Sequence, residues 1–152
     1  MGLDCSHDAW HGAYSAFHRW RCKLAEVAGL PPLELMEGFY ARLYPRESSL
    51  PTLYHSGPSG THEWLRGIDE RLPIKWECLK PDPLHELLHH SDCEGEIAAE
   101  ACGPIADSLE RLLPLLPSGD GGGHIGLWHE KTQQFIDGLR RAAAANEPLD
   151  FH

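Results

Sequence analysis

The sequence predicts a mainly α-helical α+β protein: one domain spanning 1–152, of about five helices with a minor strand or hairpin. Three observations carry this. Apolar residues recur at helical spacing in most segments of the chain. Only one short run, 74–79, alternates in the manner of a strand. The length of 152 residues, with 41% hydrophobic residues and five Trp, suits a single core.

Residues 2–5 read as a short extended lead-in. Ser6 or Asp8 can cap the first helix by accepting orphan N–H groups. That helix runs to about Ala28 and stops at Gly29, with Pro31 and Pro32 behind it. Gly12 inside it costs ~1 kcal/mol against Ala, which suggests that a backbone or ligand comes close. At ~100° per residue, Trp10, Ala13, Tyr14, Phe17, Leu24, Val27 and Ala28 share one arc. His7, His18, His11, Cys22, Ser15 and Asp8 follow one another round the opposite arc.

A second helix is expected over 34–44, with Leu35, Met36, Phe39, Tyr40 and Leu43 as its apolar set. Residues 45–62 are rich in Pro, Gly, Ser and Thr and read as a variable loop insertion. A helical turn over 64–72 and the strand at 74–79 follow, the latter ended by Pro81 and Pro83. A third helix starts at Leu84 and reaches His90. Residues 91–97 form a tight polar turn. A fourth helix then runs to about Leu116, carrying Ile105, Leu109, Leu112, Leu113 and Leu116, with Pro114 and Pro117 at its end. The glycine loop 118–123 leads to a last helix with Trp128, Thr132, Phe135, Ile136, Leu139 and Ala143 on its buried stripe, closed by Asn146, Glu147 and Pro148.

The net charge of −10 argues against extended nucleic-acid binding, whose affinity comes from neutralised phosphates. A pocket for a small anion needs only two or three local donors and stays open. No run of ~20 apolar residues predicts a membrane span. The first ten residues lack the pattern of a secretory leader, and Met-Gly with Ser6 matches a myristoylation motif only formally. An odd count of five Cys suits reduced thiols in a cytoplasmic protein.

Three segments hold candidate chemistry. On the first helix, His7/His11 and His18/Cys22 are i,i+4 pairs, the spacing of helical zinc ligands. His11 and His18 lie ~10 Å apart along the axis, so one pair at most binds an ion and a third ligand must come from elsewhere. His7, His11 and Asp92 are the set considered for a divalent ion, Zn or Mg/Ca. The alternative is a solvated face. Arg21 falls on the apolar arc, where burial requires a carboxylate from Asp4, Asp92 or Glu94, or an anionic ligand held by its fork.

The second segment resembles a calcium-binding loop, with Asp92, Glu94, Gly95 and Ile97 in register. His90 stands where the first Asp belongs and Ala101 where the bidentate Glu belongs, which argues against tight calcium binding. A helix cap is one alternative; a loop placing Asp92 and Glu94 beside the first segment is another. The third, Gly121, Gly122, Gly123 and His124, suits an anion at a helix N-terminus but lacks a Gly-Lys-Ser/Thr ending. Its alternative is a flexible linker. No Gly-x-Ser-x-Gly occurs, and Cys93 beside His89, His90 and Asp92 is a weak nucleophile candidate.

The start Gly-Leu-Asp-Cys-Ser-His-Asp-Ala-Trp-His-Gly-Ala-Tyr-Ser-Ala-Phe-His-Arg-Trp-Arg resembles a family of small uncharacterised proteins of bacteria and their phages. So do the turn His90-Ser91-Asp92-Cys93-Glu94-Gly95-Glu96-Ile97 and the run Lys131-Thr132-Gln133-Gln134-Phe135. The resemblance covers most of the chain, with 45–75 as its variable part. It implies no activity. Small phage-associated proteins with polar pockets include sponges of immune signalling nucleotides.

The expected function is binding of a small, anionic, nucleotide-like ligand. Its pocket would draw on His7, Asp8, His11, Tyr14, Ser15, Arg21, Ser91, Asp92, Glu94 and His124, with Arg19 or Arg21 and the loop amides on the anion. One alternative is a metal-dependent hydrolase of a phosphorylated or nucleotide substrate, with Glu94 or His11 as its acid–base group. Another is a helical structural or partner-binding module. A homo-oligomer is compatible with each.

Overall fold

Residues 2–39 and 73–152 are described in the computed structural model of the chain. Among them are four α-helices and two small antiparallel hairpins: β1 (Leu3–Asp4), β2 (His11–Gly12), α1 (Tyr14–Val27), α2 (His85–His89), β3 (Gly95–Ile97), α3 (Ala99–Leu112), α4 (Trp128–Ala145) and β4 (Leu149–Phe151). Short 3₁₀ turns lie at Ser6–Asp8, Leu33–Leu35, Trp76–Leu79 and Leu113–Leu115. This is the mainly helical α+β class. The fifth helix, expected over 34–44, is not found in its described part. There, Leu33–Leu35 is a 3₁₀ turn, Met36 is extended and Gly38 takes φ +90. Residues 40–44, the loop insertion 45–62 and the turn 64–72 fall outside the described residues.

The first helix starts at Tyr14 and not near Ser6. His7 and Asp8 take positive φ, 54° and 59°, and the chain doubles back. Leu3 then pairs with Gly12, and Asp4 with His11. A left-handed conformation costs a non-glycine residue roughly 1–2 kcal/mol. Donors from α4 fix it. Arg141 donates to the His7 carbonyl at 2.9 Å, Gln134 to the Asp8 carbonyl at 3.1 Å and Lys131 to the His11 carbonyl at 2.8 Å. The loop lies close against α4 because residue 138 is glycine; a β-carbon there would collide with Ala9.

The strand expected at 74–79 is replaced by a 3₁₀ turn. Only Ile74 bridges to a neighbour, Met36. The alternation fails at Cys78, which is exposed while Leu79 is buried. Trp76 and Leu79, three apart, share a face when the backbone coils with i→i+3 bonds. The minor sheet comes from other residues: β3 pairs with β4 through Gly95–Phe151, Glu96–Asp150 and Ile97–Leu149.

The two hairpins are stitched together. Asp4 and His152 exchange backbone bonds of 2.9 Å in both directions, and Cys5 bridges Phe151. Ser6 Oγ accepts from the Asp150 amide at 2.9 Å. Behind this clasp sits an aromatic core. Phe17 packs on Trp10 at 5.1 Å, Trp20 at 5.7 Å and Phe151 at 5.8 Å, and Trp20 packs on Phe135 at 4.8 Å. Each such buried ring contributes about 1.5–3 kcal/mol. Trp20 Nε1 donates to Thr132 Oγ1 at 2.9 Å, so the indole enters the core with its polar atom satisfied. α4 ends at Asn146, a left-handed residue (φ 54°) whose amide donates to the Ala142 and Ala143 carbonyls. No helix among the described residues is long and apolar enough to cross a membrane.

Candidate functional site

Arg21 is 0% exposed, and it caps α2. Its Nη1 donates to the carbonyls of Leu87 (3.3 Å), Leu88 (3.2 Å) and His90 (2.6 Å), and its Nη2 to the Asp92 carboxylate. The last carbonyls of a helix lack intrahelical partners and carry the negative end of its dipole. A guanidinium there satisfies both needs. It also lies over the Phe17 ring at 4.7 Å. Burial pushes its pKa down and Asp92 pushes it back up. Of the three carboxylates the sequence offers, Asp92 is the partner, whereas Asp4 bonds His11 and Glu94 is exposed. Both Nη atoms are occupied by protein acceptors, and Nε, which has no hydrogen-bond partner among the described residues, is buried away from solvent.

Arg19, two residues earlier, leaves α1 about 200° away from Arg21. Its Nη2 donates to the Gly121 carbonyl at 3.0 Å. The glycine loop therefore meets one side of α1 and the Asp92 turn the other. The single pocket expected from the start of the first helix, the Asp92 turn and the loop to His124 is not formed, because α1 runs between the last two. Nor is the loop a ready anion cradle. The Gly121 amide bonds the Gly126 carbonyl at 2.8 Å and the Gly122 amide bonds Asp120 at 2.5 Å. α4 starts at Trp128, beyond His124, which is exposed.

The expected metal set is likewise dispersed. His11 donates Nδ1 to Asp4 at 2.8 Å and Nε2 to Asp8 at 2.5 Å. A carboxylate at each nitrogen favours the doubly protonated imidazolium, in which both nitrogens donate. Its pKa is raised by the bonds to Asp4 and Asp8, and that of Asp8 is lowered by His11. His7 faces Glu147 at 3.1 Å, and Asp92 is held by Arg21. His7, His11 and Asp92 therefore do not converge, because residues 6–12 form a 3₁₀ turn and a returning strand and not an α-helix. Among the described residues no three His, Cys, Asp or Glu side chains are arranged to hold a metal ion. Glu94 loses the metal-bound water it was expected to act on. The other i,i+4 pair does meet: the Cys22 thiol lies 3.5 Å from His18 Nε2. Burial pushes that thiol up to about 12 and pulls His18 down. Ser15 is exposed and Tyr14 half-buried at the start of α1.

A cleft of about 380 Å³ lies on the Asp92 side of α1. Glu37, Gly38, Phe39, Trp76, His89, His90, Ser91 and Asp92 line it. Trp76 Nε1 donates to the Glu37 carbonyl at 3.0 Å, which fixes the indole plane. His89 stacks on that indole at 4.8 Å and Phe39 meets it edge-on at 6.3 Å. His18 stacks behind Phe39 at 5.3 Å. His90 stacks on Phe151 at 4.0 Å and donates Nδ1 to the Ser91 carbonyl at 2.9 Å. The Asp92 side chain stays 31% exposed beside Arg21.

Of the expected binding residues, Ser91 and Asp92 line this cleft. His7, Asp8, His11, Tyr14, Ser15, Glu94 and His124 do not, and Arg21 acts beneath it. Glu37, Phe39 and Trp76 are not among the site residues expected from sequence, and His89 and His90 enter there only beside Cys93 and in the calcium-like loop. The available signal was the i,i+4 spacing of His85 and His89. No Lys or Arg lines the cleft among the described residues. Its walls are flat rings and its polar groups are carboxylates, imidazoles and a hydroxyl. No family model, curated protein or solved structure matches the chain.

Proposed function

We propose that the protein binds a small molecule through this cleft, and that the part bound is a planar, nitrogen-bearing ring such as a nucleobase. The observation that supports the reading is the fixed indole of Trp76 beside Phe39 and His89, with Glu37 and Asp92 among the lining residues. Aromatic walls gain from ring stacking, and carboxylates accept from ring N–H and amino groups. The ligand class narrows from an anionic, nucleotide-like molecule to its ring, because no Lys or Arg among the described residues lines the cleft to receive a phosphate and Arg21 is taken up by Asp92 and the α2 carbonyls. Binding without turnover, as in sequestration of a nucleotide-like signal, asks no more of these surfaces.

A thermal-shift panel of nucleobases, nucleosides and nucleotides tests this. A ligand that binds only the native state raises the midpoint, by about 2.7 kcal/mol of stability at a hundredfold excess over Kd. A nucleoside and its monophosphate are expected to bind alike. Phe39→Ala is expected to weaken both by roughly tenfold, the worth of one aromatic contact. A blank panel overturns the proposal, as does binding that depends on the phosphate.

A further inference from the structure

His85 and His89 stand one turn apart on α2, and both rings meet Trp76. His89 stacks on the indole at 4.8 Å and His85 approaches it edge-on at 6.2 Å. Trp76 is buried and tied through Nε1 to the Glu37 carbonyl, so it is a fixed floor under both imidazoles. Their centroids lie 5.4 Å apart. With metal–nitrogen bonds of about 2.0–2.1 Å, two imidazoles on one ion at a roughly tetrahedral angle have centroids about 5 Å apart. The rings are thus at a chelating separation, and side-chain rotation is what would turn one nitrogen of each onto a shared ion. Neither ring makes a hydrogen bond or ion pair with another described residue. Their nitrogens are therefore not committed within the described protein.

We propose that His85 and His89 form a two-histidine chelate for a divalent transition-metal ion. Imidazole pairs suit Cu²⁺, Ni²⁺ and Zn²⁺, with Cu²⁺ the tightest by the Irving–Williams order. Mg²⁺ and Ca²⁺ want oxygen ligands and are excluded by the donor type. No third described side chain completes the set, so water or a cleft ligand fills the remaining positions. His89 belongs to the cleft wall, which places those positions at its edge. The site shares no residue with the dispersed His7, His11 and Asp92 set. It rests on the two rings and their floor, and is independent of any ring-binding reading.

The test uses the untagged full chain and Cu²⁺ alone, followed by EPR and tryptophan fluorescence. The first equivalent is expected to show coupling to two imidazole nitrogens and to quench emission from Trp76. His85→Asn and His89→Asn are each expected to weaken it by roughly tenfold or more, because losing one ligand removes the intramolecular second contact. His124→Asn is expected to change nothing. The proposal is overturned if the double variant His85→Asn/His89→Asn binds its first Cu²⁺ like the wild type. A wild-type signal without two-nitrogen coupling overturns it equally. Trp76→Phe should lose the quenched component; quenching that persists there also counts against the site. The EPR comparison depends only on residues outside the core, so it decides the matter even where Trp76→Phe fails to fold.

Discussion

Arg19 and Arg21 stand two residues apart on α1 and serve opposite sides of it, one holding the Gly121 carbonyl and the other the Asp92 carboxylate. The first contact is at the surface and the second is in the core. Their removal should differ accordingly. Arg19→Ala is expected to cost about 1 kcal/mol or less, the net worth of one exposed hydrogen bond. Arg21→Met is expected to cost about 3–5 kcal/mol, because the Leu87, Leu88 and His90 carbonyls and Asp92 all lose their donor. Urea denaturation of both variants checks the order. Equal costs would show that Arg21 does not cap α2.

The His11 imidazolium gives a pH signature. Its pKa is raised in the folded protein by Asp4 and Asp8. Its contribution to stability is therefore complete below the unfolded value of ~6.5 and lost as pH rises through the folded value. The lowered pKa of Asp8 works in the other sense: its contribution is present above the unfolded carboxylate value and lost as pH falls through the folded one. The contact is thus strongest in mildly acidic solution. NMR titration should place His11 above an unfolded-peptide reference, and Asp8→Asn should lower it. A His11 that titrates at the reference value would refute the arrangement.

Gly138 should resist substitution. Gly138→Ala drives a methyl into Ala9 and is expected to cost about 1–3 kcal/mol, the usual penalty for overpacking. Gly103→Ala, where a β-carbon meets nothing within 4 Å, serves as the comparison and should cost clearly less. Thermal melts that rank the two in reverse would mean that residues 5–12 do not lie on α4.

Asn146 is a left-handed helix end. Asn146→Ala is expected to cost about 1 kcal/mol, and Asn146→Gly to be neutral or slightly stabilising, since only glycine takes that conformation without penalty. Equal stabilities of the Ala and Gly variants would contradict the cap.

Arg21 is the most legible residue of the site. A charged side chain on an apolar arc demands a carboxylate, and Asp92 is one of three at hand. α1, α3 and α4 are legible over most of their length because their apolar stripes follow a single period. Residues 5–12 are not. His7 and His11 have helical spacing, but the loop is fixed by donors 120 or more residues away, which local spacing cannot reveal. The cleft is illegible for a related reason. Glu37, Phe39, Trp76 and His89 come from segments distant in sequence, and only the tertiary packing that includes Arg21 on the end of α2 brings them together. At 74–79 the alternation of Ile74 and Trp76 imitates a strand, and only the burial of Leu79 in place of Cys78 distinguishes the 3₁₀ turn.

The exchange of backbone bonds between Asp4 and His152 sets an order of events during synthesis. β1, already paired with β2, gains its bonds to His152 only when 149–152 have been made, and Phe17 gains Phe151 at the same moment. α1 therefore waits for part of its core until nearly all of these residues have left the ribosome. Contacts this distant in sequence slow folding. A translation stall ahead of residue 149 would leave Phe17 without its Phe151 contact and Asp4 without its bonds to His152, and such a nascent chain is expected to bind chaperones more than one that carries 149–152.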